Sequence, residues 1–157
     1  EAHNNLGVVY SNLGKYPEAI ACFQQALKIN PDCSEAQRNL GYAQAHTSLG
    51  VADLSQGDSK KALDEFRKAL RIDSHYADAH YNLALLLQKQ GQLQEAVGHY
   101  QEAIKYDPNS AAAHNNLGVA LMQMGNKQQA ESEYKEALRI KADFKDAKLN
   151  LDELQKN

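Results

Sequence analysis

Apolar residues recur along the chain at helical spacing. Ala19, Phe23 and Ala26 lie four and three residues apart, which puts two small residues and one ring on the same helix face. The same spacing of Ala, Phe and Ala returns at positions 62, 66 and 69. Glycines stand where a left-handed turn would end the first helix of each pair, at Gly14, Gly57, Gly91 and Gly125. The pattern therefore predicts pairs of short helices joined by tight turns, without strands.

These helix pairs belong to an internal repeat. The segment at 3–31 returns at 80–108 and 114–142, and a further copy begins at Thr47. The copies give repeats at 1–33, 43–76, 77–110 and 111–144, and the last three keep one register of 34 residues. One such unit cannot cover its own apolar face, so we expect a single stacked array over 1–157. The segment 145–155 is expected to be a closing helix that turns Ala147, Leu151 and Leu154 toward the last repeat.

The period and the residue pattern resemble the tetratricopeptide repeat, a helix-turn-helix unit. The first copy carries the matching residues Leu6, Gly7, Tyr10, Gly14, Tyr16, Ala19, Phe23, Ala26 and Pro31. His3, His80 and His114 depart from the pattern, because they stand where the family usually has Trp. The resemblance implies an all-α fold, an α-solenoid that winds as a right-handed superhelix with the first helices on its concave side.

The register breaks between the first two repeats. The dipeptide Leu-Gly occurs at 40–41 and again at 49–50, so about a turn and a second helix are missing from the array. The pattern predicts one irregular, fused helix over 34–56, in which nine residues turn the apolar face by about half a turn. Each half would lack one neighbour, and a two-fold homodimer would cover both. The alternative is a break near 44–47 that lets the halves fold back within one chain. The predicted self-association residues are Leu40, Tyr42, Ala43 and Leu49.

A column of asparagines, broken only by Ser48, precedes the Leu-Gly or Leu-Ala dipeptides. Its members are Asn5, Asn39, Asn82 and Asn116, with Asn150 continuing the column into the closing helix. The column resembles the asparagine ladder of O-linked N-acetylglucosamine transferases and their SPINDLY relatives, which implies that it holds the backbone of an extended peptide. A carboxamide suits that task because it both donates and accepts hydrogen bonds. The alternative is that these asparagines bond only to backbone within the array. The predicted peptide-binding site also includes Val8, Val51, Leu85, Val119, Tyr81 and Asn115.

Charge and composition narrow the class of partner. The formal net charge is -3, and no basic patch typical of nucleic-acid binding is present in the sequence. No apolar stretch approaches the roughly 20 residues that cross a bilayer, and the first residues lack the features of a signal peptide. We therefore expect a cytoplasmic protein with a protein or peptide partner, no nucleic acid and no membrane insertion. Cys22 and Cys33 are expected to be reduced thiols.

Patterns typical of catalysis or metal binding are weak. His75 and His80 do not have the spacing of four residues that zinc ligands use on a helix, and no nucleophile and base stand at a recognisable spacing. We therefore predict no catalytic residue, no cofactor and no metal. The predicted function is a non-catalytic interaction scaffold. The alternatives are a substrate-recognition arm of a larger glycosyltransferase, with its catalytic domain beyond Asn157, and a purely structural self-assembly module.

Overall fold

The computed structural model describes residues 2–13, 15–30, 32–33 and 41–156. The chain divides into two compact units, residues 1–79 and residues 80–157. Every regular element among the described residues is an α-helix, which confirms the all-α prediction. None of the helices in this part of the chain is both long enough and apolar enough to span a membrane.

The first unit is built from two helix pairs. The four helices are α1 (Ala2–Asn12), α2 (Tyr16–Ile29), α3 (Tyr42–Ser55) and α4 (Ser59–Ile72). In each pair the two helices pack against each other, α1 on α2 and α3 on α4, and α2 also contacts α4.

In each of these pairs, one aromatic ring is packed between the two helices. Phe23 and Phe66 are buried, and burying such a side chain contributes roughly 1.5–3 kcal/mol. The rings lie against Gly7 and Gly50 on the facing first helices, where any side chain would collide with them. Small residues therefore let the helices of a pair approach closely, as the spacing in the sequence predicts.

Helix α3 covers the region in which the register of the repeats breaks. It begins at Tyr42, with Gly41 in a turn before it, and runs to Ser55 without interruption. The helix therefore has no break at 44–47. Residues 34–40 lie outside the described residues, so the fused helix over 34–56 stays a prediction.

The second unit continues the series of helix pairs. Its helices are α5 (Ala77–Lys89), which starts three residues before the unit, α6 (Leu93–Tyr106), α7 (Ala111–Gln123), α8 (Lys127–Ile140) and α9 (Lys145–Lys156). Helix α6 packs on α7, α7 packs on α8, and α9 packs on both α7 and α8. In the predicted closing helix α9, Ala147 is fully buried, and Leu151 and Leu154 are half-buried.

Glycine makes the turn within three of the helix pairs. Gly57, Gly91 and Gly125 have φ angles of +83°, +78° and +83°. This left-handed conformation is open to glycine but strained for residues with a Cβ. The predicted glycine turns are thus confirmed at these three positions, whereas Gly14 lies outside the described residues.

Candidate functional site

Side chains on the first helices of the second unit form a hydrogen-bonded chain. Asn116 Nδ2 donates to Tyr81 Oη over 2.9 Å, and Asn150 Nδ2 donates to Asn115 Oδ1 over 2.9 Å. Asn115 Nδ2 also donates to Asn116 Oδ1 over 3.2 Å. The chain therefore runs from α5 through α7 to α9, and each bond between helices joins residues 35 positions apart.

The described bonds leave hydrogen-bonding capacity on this chain. A carboxamide offers two N–H donors and two acceptor lone pairs. Asn116 uses one donor and one acceptor in these bonds, and Asn150 uses one donor. Both side chains are half-buried, whereas Asn115 is buried and links them. The hydroxyl of Tyr81 has a proton to donate at neutral pH, as tyrosine ordinarily does, and burial raises its pKa further.

Apolar side chains lie one turn further along the same helices. Leu85 follows Asn82 on α5 and Val119 follows Asn116 on α7, and all four are half-buried. The predicted amide and apolar residues of this unit thus lie together on its first helices. We call the following residues the first-helix face: Tyr81, Asn82, Leu85, Asn116, Val119 and Asn150.

A second polar link lies beyond the predicted residues. Gln88 Nε2 donates to Gln123 Oε1 over 3.1 Å, and Tyr100 Oη donates to Gln88 Oε1 over 2.8 Å. Sequence reasoning missed these glutamines. The signal was available, because Gln88 and Gln123 are again 35 residues apart.

The predicted peptide-binding residues of the first unit are more exposed. Asn5 and Val8 lie on α1 and Val51 lies on α3, and all three are exposed. No hydrogen bond described for this unit joins them into a chain like the one in the second unit. Asn39 lies outside the described residues.

The predicted self-association residues differ in their exposure. Ala43 is buried within its own unit and offers no surface to a second copy, whereas Leu49 is 50% exposed. Leu83 and Leu117 occupy the equivalent position in the next two repeats, and they are only 2% and 3% exposed. Leu40 and the side chain of Tyr42 lie outside the described part of the chain. Leu49 is therefore an apolar residue that lacks the cover its equivalents have.

Three repeats carry a histidine on the first helix that contacts the residue 19 positions later on the second helix. The Nδ1 atom lies 2.6 Å from a glutamate oxygen in the first and last of these pairs, and 2.9 Å from a second imidazole Nδ1 in the middle pair. Across the described residues, no three or more His, Cys, Asp or Glu side chains converge on one point. The pairs are His46 with Glu65, His80 with His99, and His114 with Glu133.

The sequence matches two family models. One is described as "Tetratricopeptide repeat" and matches residues 1–33 and 111–144. The other is described as "TPR repeat" and matches residues 50–91 and 87–125. No curated protein matches the sequence significantly.

Several solved structures have the same fold. The crystal structure of MamA is 23% identical, with a TM-score of 0.69 over 96% of this chain and 82% of that chain. The first TPR of Spaghetti (RPAP3), bound to the HSP90 peptide SRMEEVD, is 17% identical, with a TM-score of 0.71 over 73% of this chain and 91% of that chain. The Arabidopsis OM64 TPR domain is 20% identical, with a TM-score of 0.72 over 75% of this chain and 98% of that chain. These likenesses confirm the predicted fold class, an α-solenoid of helix pairs.

Proposed function

Because the chain belongs to the tetratricopeptide-repeat family, we propose that it is a non-catalytic interaction module that binds an extended segment of a protein partner on its first-helix face. Stacked repeats use extended surfaces of this kind for binding. The solved repeat domain bound to an HSP90 peptide supports a peptide as the class of ligand.

The observation that carries the proposal is the hydrogen-bonded chain through Tyr81, Asn116 and Asn150. A peptide unit has one N–H donor and one C=O acceptor. Asn116 retains one donor and one acceptor after its bonds to the array, so it can pair with one peptide unit on both sides. Its bond to Tyr81 fixes the orientation of the carboxamide before a ligand arrives, which lowers the entropy lost on binding.

The charge of the first-helix face favours recognition of the backbone. All of its polar members are amides or a phenol, which carry no charge at neutral pH, and burial moves the pKa of Tyr81 still further above neutrality. An acidic peptide terminus would be held more strongly by Lys or Arg. Leu85 and Val119 add apolar contact beside the amides, which suits a ligand with alternating apolar side chains.

The test begins with a library of random peptides displayed on phage and selected on the 157-residue chain. The selected peptides are then titrated by fluorescence anisotropy against the wild type, Asn116→Ala and Asn150→Ala. A hydrogen bond contributes about 0.5–1.5 kcal/mol, so each variant should bind roughly 2- to 10-fold more weakly. Gln129→Ala is the matched control, because this exposed amide lies on the second helix α8 and should leave binding unchanged.

Backbone recognition has its own readout. Selected peptides are resynthesised with one N-methyl group at each position in turn, which removes one backbone donor without changing the side chains. Weaker binding at alternate positions supports an extended peptide held by its backbone. The proposal is wrong if no peptide is enriched, or if the enriched peptides bind Asn116→Ala and Asn150→Ala as tightly as the wild type.

Self-association is a second candidate function, and the exposure of Leu49 favours it. Its equivalents Leu83 and Leu117 are almost completely buried. In the second unit, Leu117 lies on α7, which has the second helix α6 of the preceding repeat packed on it. A second copy of this chain carries helices of the same kind, so it can supply the cover that Leu49 and the exposed Val51 lack.

Light scattering over a dilution series tests this candidate. We expect a dimer that dissociates on dilution, and a monomer when Leu49→Glu places a charge in the contact. Leu149→Glu is the matched control, because Leu149 is 58% exposed on α9 and should leave the dimer intact. A wild type that is monomeric at every concentration would rule out self-association.

A further inference from the structure

Gln88 and Gln123 form a second row of amides on the first helices of the second unit. Gln88 follows Tyr81 by seven residues on α5, and Gln123 follows Asn116 by seven residues on α7. Seven residues are almost two full turns, so each glutamine lies on the same side of its helix as the earlier residue, about 10 Å further along the axis. We call Gln88 and Gln123 the second amide row. The apolar residues of the first-helix face lie between the two rows.

A buried tyrosine holds the second amide row from the core side. Tyr100 is fully buried on α6, and its Oη donates to Gln88 Oε1 over 2.8 Å. Gln88 Nε2 in turn donates to Gln123 Oε1 over 3.1 Å. Hydrogen bonds that follow one another in this way polarise and strengthen each other. The exposed carboxamide of Gln123 is therefore oriented through Gln88 by a group in the core.

The sequence combines this tyrosine with this amide in the repeat 77–110 alone. The other repeats have an apolar residue or serine at the position of Gln88, and two of them have phenylalanine at the position of Tyr100. Helix pairs form in those repeats as well, so the fold does not depend on the second amide row. The equivalent residues are Ser11 and Phe23, Leu54 and Phe66, and Met122 and Tyr134.

The hydrogen-bonding capacity of the row suits a carboxamide. After the bonds described above, Gln88 retains one N–H and one lone pair, and Gln123 retains both N–H groups and one lone pair. Neither residue carries a charge. A ligand carboxamide can donate to the row and accept from it, whereas a carboxylate has no donor and would lose hydration without a cation to compensate.

The distance between the rows decides which part of a ligand arrives at the second one. A peptide backbone that pairs with Asn116 lies about 10 Å from the second amide row along the helix axis, which is too far for its own amides to bond there. An extended glutamine side chain spans about 5 Å. With a hydrogen bond of about 3 Å at each end, it crosses the apolar strip and meets Gln123.

We propose that the second amide row selects a glutamine side chain of the bound segment, and that Tyr100 is the residue that positions the row. The inference rests on the proposed function, because the first-helix face must hold the backbone of the same ligand. Amides that pair with a backbone accept many sequences, so selectivity needs a contact with a side chain. The second amide row supplies this contact.

The probes for the test are the peptides selected on the 157-residue chain. Each position of a peptide is replaced in turn by Gln, Glu and Met, and binding is measured by fluorescence anisotropy. We expect one position at which Gln binds about 3- to 10-fold more tightly than Glu or Met, because Met has a similar shape but no carboxamide. This preference should disappear with Gln123→Met. Gln129→Met is the matched control, since it removes an exposed amide from α8 and should keep the preference.

Tyr100→Phe tests the positioning role. Repeat 43–76 already has phenylalanine at this position, so the helix pair should still form, and urea unfolding checks that it does. The variant should reduce the preference for Gln over Met and leave the affinity for the Met peptide unchanged. A general loss of structure would instead weaken both peptides equally, and that result would overturn the positioning role.

The outcomes separate this inference from the proposed function. If Asn116→Ala weakens binding but no position prefers Gln, or if Gln123→Met keeps the preference, the second amide row does not select the ligand and the proposed function stands. If no peptide is enriched, or if the enriched peptides ignore Asn116→Ala and Asn150→Ala, both are wrong.

Discussion

Replacing Gly118 by Ala sets helix propensity against packing. An added Cβ at this position of α7 would lie 2.5 Å from Cε1 and 2.7 Å from Cδ1 of Tyr134, and 3.2 Å from the carbonyl oxygen of Ala130. Carbon atoms in contact prefer about 3.5–4.0 Å, so the ring would have to move by about 1 Å. Tyr134 is buried between α7 and α8, so its ring cannot move that far without displacing its neighbours.

The two effects can be compared in magnitude. Overpacking a core costs about 1–3 kcal/mol, and alanine gains about 1 kcal/mol over glycine in the interior of a helix. We therefore expect Gly118→Ala to lower the free energy of unfolding by about 1 kcal/mol. Urea denaturation followed by circular dichroism measures this change.

Gly98→Ala is the matched control within the same unit. Gly98 is exposed in the interior of α6, and an added Cβ there meets no atom within 4 Å. Only the propensity remains, so this variant should be more stable than the wild type by about 0.5–1 kcal/mol. Adding Tyr134→Leu to Gly118→Ala should cost less than the sum of the two single changes, because the smaller side chain leaves room for the new methyl. Equal stabilisation by Gly118→Ala and Gly98→Ala would refute the reasoning.

Three further predictions concern a turn, a helix cap and an ion pair. Gly57→Ala should lower the free energy of unfolding by roughly 1–2 kcal/mol, since φ is +83° there; urea unfolding beside Gly98→Ala checks it. Ser110→Ala should lower the free energy of unfolding by about 0.5–1 kcal/mol, because Ser110 Oγ accepts a hydrogen bond from the backbone N–H of Ala113 at the start of α7. Ser110→Asp keeps an acceptor at this position, so its urea midpoint should equal that of the wild type. The hydrogen bond to Glu133 raises the pKa of His114, so the stabilisation is complete below the unfolded value of about 6.5 and is lost as the pH rises through the folded value. Glu133→Gln should therefore lower the urea midpoint more at about pH 6 than at about pH 9, and equal losses would contradict this assignment.

The helix pairs and their turns could be predicted from the sequence because the same residue pattern recurs in several copies of the repeat. Each second helix places its ring and two small residues at the same spacing, and glycines mark the turns. These features depend on residues a few positions apart, which helical geometry relates directly. The closing helix followed from the same reasoning, and it is observed at Lys145–Lys156 against a predicted 145–155.

The partners of the asparagines could not be predicted from the period. The sequence repeats every 34 residues, but the side chains that meet on adjacent first helices are 35 apart. Asn116 therefore donates to Tyr81, which stands one position before the aligned Asn82. This offset of one residue comes from how neighbouring helices pack, and the repeat alignment does not contain it.

The histidine pairs were missed for a different reason. His46 stands 34 residues before His80 and 68 before His114, so the period does place it in their column. The clear similarity of that copy begins only at Thr47, one residue after His46, so the repeat pattern does not indicate the contact of His46 with Glu65. His3 stands in the same column in the first repeat, but it is exposed, whereas His80 and His114 are buried. The spacing of 19 residues between first-helix and second-helix partners would have found all three pairs.

Leu49 shows that the burial of a repeat position depends on the neighbours supplied to it. It occupies the same place in its helix as Leu117, next to a glycine that faces an aromatic ring in both repeats. The local structure is therefore the same, yet Leu49 is 50% exposed and Leu117 only 3%. What differs is the second helix that should precede α3, because the sequence between the two repeats is shorter by 25 residues than the period requires. The same repeat position is therefore a core residue in one repeat and a surface residue in another, and the exposure of Leu49 is the observation on which the proposed self-association rests.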